Sequence, residues 1–156
     1  MKSSIRILAD AAAATLAVSA YAGGHNLVTP DINDPVTLRI NIMQNVGASA
    51  GLASAMMKGT IPFEPLAAQA ALVTINTAAL GLSGLFPAGM PENMRSSAGP
   101  AIWADAAGFK AAIAKFIADS DDAKLFPPET VEELRDAFSV LGGNCKACHK
   151  VYRIKR

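Results

Sequence analysis

The chain has 156 residues, 51% of them hydrophobic and 17% charged, with a formal net charge of +1. That length makes one domain the default, and that apolar content excludes an intrinsically disordered chain. The near-neutral balance excludes the strongly basic surface that nucleic-acid binding calls for.

Residues 1–22 read as a cleaved export signal. Lys2 and Arg6 give a positive start, Ala11 to Val18 a short apolar run, and Ala20-Tyr21-Ala22 a small-x-small cleavage site. Asp10 interrupts the pattern, and an uncleaved amino-terminal helix is the other reading. The run is too short to span a bilayer. Cleavage leaves one domain over 23–156, and losing Lys2, Arg6 and Asp10 takes 14 basic and 13 acidic residues to 12 of each. No membrane span is expected in that mature chain. Residues 23–33, marked by Gly23, Gly24 and Pro30, read as an extended lead-in with His25 in solvent.

The first helix starts at Asp34-Pro35, a capping residue followed by a proline suited to the first turn. Val36, Ile40, Met43, Gly47, Ala50 and Met57 recur along it, and Gly59 ends it. Its middle, Gly47 to Gly51, is made of small residues that let something large approach the backbone closely. The second helix opens at Phe63-Glu64-Pro65, with Leu66, Ala70, Val73, Thr77 and Leu80 as its expected inner stripe, and frays at Gly81 and Gly84. A Pro/Gly-rich loop fills residues 85–100 and is long enough to pack against something. The third helix is expected from Ala101 to Ser120, with Ile102, Ala106, Phe109, Ile113 and Phe116 buried and Trp103 packing beside them. Asp119 to Lys124 reads as a charged turn, closed by Pro127-Pro128.

The fourth helix carries the chemistry. Val131, Leu134, Phe138, Leu141, Cys145, Cys148 and Tyr152 alternate by three and four. Cys145-Lys146-Ala147-Cys148-His149 has the C-x-x-C-H form of covalent haem c attachment. Positions i, i+3 and i+4 share one helix face. Each thiol can therefore add across one vinyl group of a porphyrin, with the His149 imidazole under the iron as proximal ligand. A thioredoxin-like pair would sit near a βαβ pattern, which is missing here. A structural zinc site would want a second Cys/His cluster. A plain disulfide is the third alternative. Haem c is attached outside the cytoplasm, so motif and leader both point to the periplasm. With no β pattern or repeat, four amphipathic helices imply an all-α, antiparallel up-down four-helix bundle with the haem inside one end.

At this point the chain resembles the cytochrome c′ family, the class II c-type cytochromes, over its whole mature length. The resemblance rests on the carboxy-terminal position of the haem motif and its continuation His149-Lys150-Val151-Tyr152-Arg153. Pro100-Ala101-Ile102-Trp103-Ala104-Asp105 with Phe109-Lys110, and Met56-Met57-Lys58-Gly59 with Pro62-Phe63, resemble other parts of the family pattern. The resemblance implies an arginine in the first helix followed four residues later by the residue on the iron's distal side, here Arg39 and Met43. In many members that residue does not bond and the iron is five-coordinate and high-spin; in low-spin relatives a methionine ligates it. Ile42-Met43-Gln44-Asn45 and Leu85-Phe86-Pro87 lean to the low-spin branch. The other reading of Met43 is a flexible side chain filling a core gap. By the same analogy Arg39 pairs a haem propionate, and Arg153 packs on the proximal side or pairs a propionate. Solvated helix charges account for either arginine equally well.

The implied function is a periplasmic carrier of single electrons, holding one haem c through two thioether bonds, with His149 proximal and Met43 distal. The alternative is a five-coordinate protein that binds nitric oxide or carbon monoxide. No second histidine, carboxylate pair or activated nucleophile points to an enzyme. The expected partners are redox proteins. Five basic residues and no acidic one lie between Asn144 and Arg156, and they complement the helix dipole or steer an acidic partner. Relatives often pair through their first two helices, and the small residues from Gly47 to Gly51 permit a homodimer of that kind.

Overall fold

The computed structural model describes residues 34–88 and 95–155; the leader, the lead-in with His25, Met90 and Met94 lie outside the described residues. Helix α1 runs Pro35–Met57, α2 Pro65–Leu82, α3 Ala101–Ala104, α4 Ala106–Leu125 and α5 Val131–Tyr152. The ends follow local chemistry. Asp34 accepts the Val36 N–H at 3.0 Å and the Thr37 hydroxyl at 2.6 Å, which satisfies orphan donors at the start of α1. Gly59 closes α1 with a φ of 70°, a left-handed conformation open to glycine. Thr130 and Glu133 form a reciprocal capping box at the start of α5.

Helices α1, α2, α4 and α5 pack in sequence order, and α1 also packs on α5, which closes a four-helix ring. Their directions alternate. One core cluster joins Ala53 and Met56 near the end of α1, Ala68 near the start of α2 and Leu134 near the start of α5. The Arg135 side chain donates to the Met57 carbonyl at 2.6 Å at that same end. A central cluster joins Val46, Leu72, Ile75, Ala78 and Leu141. At the opposite end Ile102, Phe109, Ile113 and Tyr152 form a third cluster. This is the all-α antiparallel bundle expected from the sequence. Among the described residues the only β pairing is an isolated bridge between Ala98 and Arg153.

Three expectations are corrected. The face of α2 named as its inner stripe is its outer one: Leu66 is 77% exposed and Leu80 53%, while Ala68, Ala71, Leu72, Ile75, Ala79 and Leu82 are buried. The helix is apolar all round, so periodicity gives no direction. The alanine side is the one that lets the neighbouring backbones approach; a side chain at Gly81 would already touch Ile42 of α1. On α1 the buried line is Val36, Arg39, Val46, Ala53 and Met56, one step round from the expected one. Gly47 and Gly51 face open space among the described residues.

The third helix is broken and longer than expected. Asp105 leaves helical geometry at φ −123° and ψ 59°, ends α3 and caps α4 through the Gly108 N–H. The expected charged turn at Asp119–Lys124 is the last part of α4. Its charges pair along the helix, Lys115 with Asp119 and Lys124 with Asp121.

The stretch Pro65–Leu85 is long and apolar enough to cross a membrane by length and mean hydropathy, 1.4. Here it is a core helix. Asn76 on α2 is buried and donates to Ser120 at 3.1 Å and Asp121 at 3.0 Å, and Lys124 donates to its carbonyl oxygen at 2.9 Å. That network ties the helix to α4 and satisfies every polar atom it buries.

Two outcomes check this packing. Leu72→Ala should lower the unfolding free energy by about 2–5 kcal/mol, whereas Leu66→Ala should change it by less than about 0.5 kcal/mol, both read from urea denaturation. Hydrogen bonds from Thr37 and then Arg95 lower the Asp34 carboxyl from 3.8 to about 2. A carboxyl depressed in the folded state stabilises above its unfolded value and loses that effect as pH falls through its folded one. The gap in melting temperature between the parent and Asp34→Ala should therefore be constant above about pH 5 and shrink between about pH 4 and pH 2.

Candidate functional site

The last two turns of α5 hold Cys145, Cys148 and His149 on one helix face, as the spacing requires. Both thiols are half-buried and unbridged. Cys148 packs against the cluster of Ile102, Phe109, Ile113 and Tyr152. Burial pushes both thiols up, and for Cys148 the neighbouring Cys145 adds to the effect. They therefore stay as S–H at neutral pH, the form that adds across a vinyl double bond. Partial desolvation, followed by the charge of Arg153, lowers the His149 imidazole, which favours the neutral, ligating form.

A second set of contacts fixes that end of α5 to the bundle. The Tyr152 hydroxyl donates to Asp105 Oδ2 at 2.9 Å, while Asp105 Oδ1 accepts the Gly108 N–H at 3.0 Å. One carboxylate thus caps α4 and holds α5. A side chain at Gly108 would overlap both the Asp105 carboxylate and the Tyr152 hydroxyl, so this position has room for glycine alone. The Tyr152 ring meets Phe109 edge-on at 5.0 Å, and Phe109 meets Phe86 at 4.8 Å. Beyond the helix, the Gly99 N–H donates to the Tyr152 carbonyl at 2.8 Å and the Ile154 N–H to the Ser97 carbonyl at 2.9 Å. Sequence reasoning missed this clamp. The signal was there as Asp105 and Gly108 spaced as a helix cap and its first turn.

Met43 lies on the inner side of α1, half-buried against the cluster that includes Leu141, one turn before Cys145. The antiparallel register sets its height. Counting equal numbers of residues back along α1 from Met57 and forward along α5 from Arg135, which touch, reaches Met43 and His149. Both residues therefore lie toward the same end of the bundle, away from the Met57–Arg135 contact.

Arg39, one turn before Met43, is buried at 5% exposure. Its guanidinium donates to Ser96 Oγ at 2.9 Å and the Leu85 carbonyl at 3.1 Å, and lies 5.0 Å over the Phe86 ring. It ties the loop after α2 to α1 and is not a solvated helix charge. Arg153 is exposed, donates to Ser97 Oγ at 3.2 Å and lies beside His149. Trp103 is partly buried, donates its indole N–H to the Pro87 carbonyl at 3.0 Å and packs against Phe86, as its core role requires.

These residues fit a covalently attached haem. Two protonated thiols and an imidazole share a face, with an apolar aromatic cluster against the second thiol. Among the described residues no group of three or more His, Cys, Asp or Glu side chains is arranged to hold a metal ion, so the zinc alternative has no ligand set.

Comparison with known proteins bears on this site. The family model described as Cytochrome C' matches residues 34–153. The chain is 36% identical over 121 residues to the cytochrome c-556 of Agrobacterium tumefaciens (strain II Chrys), covering 78% of this chain and 98% of the relative. Cytochrome c′ from Rhodopseudomonas palustris superposes with a TM-score of 0.73 at 30% identity, covering 79% of this chain and 98% of that one. A structure of oxidised cytochrome c556 from R. palustris superposes with a TM-score of 0.71 at 31% identity, over 79% and 98% of the two chains.

The clamp is testable by itself. Tyr152→Phe should cost about 1 kcal/mol of stability, the loss of one hydrogen bond, and Gly108→Ala should cost more because two polar groups must move. Equilibrium unfolding followed by circular dichroism reads both.

Proposed function

The chain belongs to the cytochrome c′ family, and from that premise we propose that it carries single electrons in the periplasm through one haem c bound by His149 and Met43. Family members carry haem c covalently, and this chain holds the two cysteines near its carboxy terminus that the linkage needs. When bound, the group supplies the ferric–ferrous couple. Cys145 and Cys148 tether it by adding their S–H groups across its vinyl groups. His149 offers a neutral imidazole nitrogen as proximal ligand. The cluster of Ile102, Phe109, Ile113 and Tyr152 keeps water from that side. Met43 offers a soft thioether on the other side, a ligand type that favours ferrous iron and raises the potential.

What supports this reading is that Met43, on the inner side of α1, and His149, on the antiparallel α5, lie toward the same end of the bundle. If both side chains ligate, the iron would keep two protein ligands in either oxidation state, which would suit rapid electron exchange. The role proposed is electron transfer and not catalysis. Arg39 serves the site from its position one turn away, by a propionate contact or by holding the Phe86 loop. Arg153 stands beside His149 and suits a propionate or the proximal ring edge. The leader-like residues 1–22 support export. Redox proteins are the partners. The outward stripe of Leu52, Leu66, Val73 and Leu80, with open glycines at 47 and 51, supports pairing of two copies through α1 and α2.

The decisive measurement is the optical and EPR spectrum of the purified ferric protein. The native protein should be low-spin, and Met43→Ala should turn it high-spin while mass spectrometry still shows one covalent haem. A high-spin native spectrum would instead identify the five-coordinate protein that takes up nitric oxide or carbon monoxide.

A further inference from the structure

A groove of about 690 Å³ runs between the end of α4 and the first half of α5. Its floor is apolar and open: Phe126 is 76% exposed, Leu125 66% and Val140 52%. Its rim carries Asp122, Glu129 and Asp136, and no basic residue lines it. Nearby carboxylates have internal work. Asp119 accepts from Lys115 and Asn144, Glu132 pairs with Arg135, and Glu133 completes the capping box. Asp122, Glu129 and Asp136 enter none of the ion pairs among the described residues. Three unpaired anions around three exposed apolar side chains describe a contact surface with a defined sign.

The groove adjoins the haem-bearing segment. Asn144 donates to Asp119 Oδ2 at 2.6 Å and to the Val140 carbonyl at 3.2 Å, and both of those residues line the groove. Cys145 is the next residue along α5. From Val140 to Cys145 the helix rises only ~7.5 Å. A molecule seated on Phe126 and Val140 would thus lie within about two turns of the first thioether position along the helix, on a face rotated roughly 140° from it.

We propose that this groove docks a cationic redox protein, one whose contact face has an apolar centre ringed by lysines. The charge sign excludes anionic membranes and nucleic acid as occupants. It is also opposite to that of the partner suggested by the basic end of α5, whose Lys146, Lys150 and Lys155 complement the helix dipole instead. Contacts of this type are small, weak and steered by charge, which suits a carrier that must release its partner after each electron. The proposal rests on the electron-carrier reading and deepens it.

The test uses the holo-protein with a lysine-rich, ferrous class I cytochrome c as probe, mixed in a stopped-flow instrument. Ionic strength is set at about 10 mM and about 150 mM, where the Debye length falls from about 30 to about 8 Å. The bimolecular rate should fall about tenfold or more over that range. The triple variant Asp122→Asn, Glu129→Gln, Asp136→Asn should be about tenfold slower than the parent at low salt, with an unchanged spectrum and potential. Phe126→Ser should be slower at both salts. An uncharged small-molecule reductant should reduce parent and variants alike.

A triple variant as fast as the parent overturns the proposal. So does a probe reaction that is slowed by Lys146→Gln, Lys150→Gln and Lys155→Gln and not by the acidic changes. A parent that sediments as an oligomer dissolved by the triple variant overturns it too, because the groove then belongs to a second copy. A parent that no donor reduces overturns the carrier reading itself, an outcome distinct from these.

Discussion

The carboxylate of Asp105 is the joint on which the site depends. One oxygen accepts the Gly108 N–H and so starts α4; the other accepts the Tyr152 hydroxyl and so ends α5 against it. The attachment segment lies within the last two turns before Tyr152, where a free helix end would fray. Held by that bond, by three edge-on aromatic contacts and by the pairing of Ala98 with Arg153, it keeps two thiols and an imidazole at a fixed angle to the core. Interactions of about 1 kcal/mol each suffice, because each removes freedom that the others have already reduced.

What the sequence made legible follows from contrast. In α5 apolar residues recur by three and four among charges, so only one face can be buried, and the cysteine face is its continuation. In α2 there are no charged residues between Pro65 and Leu82. Every face is apolar enough to be the inner one, and the choice fell to backbone approach, which favours alanine. Periodicity reports differences between faces, and α2 offers few. The break at Asp105 was harder to see for another reason: its one local mark is a cap-like spacing to Gly108, and its stability comes from a tyrosine 47 residues away. Arg39 is the reverse case. A cation is expected in solvent, yet here a serine, a carbonyl and a ring face keep it inside.

Charge is sorted along α5 in a way that serves two purposes. Glu132 and Glu133 lie in its first turn and His149 and Lys150 in its last, which complements the helix dipole. The same sorting gives the molecule opposite fields at the two ends of the haem-bearing helix. An overall balance near zero therefore hides a strong dipole, and a docking partner meets the local field within a Debye length and not the sum.

The two axial positions differ in what they demand of the fold. His149 is four residues from one tether and next to the other, so its place under the iron is fixed by covalent chemistry on one helix. Met43 comes to the same end of the bundle only because α1 and α5 are antiparallel, which requires the closed ring. A bond on that side would bind the folded state alone and so stabilise the bundle through mass action within one molecule. It follows that the distal position is where this fold can change its chemistry at little structural cost. Replacing a half-buried thioether by another apolar side chain of similar volume leaves the core nearly intact, and under the proposed ligation it would open the distal side to a small gas. Under that proposal fold, tether and proximal ligand would serve both uses, and the side chain at residue 43 would decide between them.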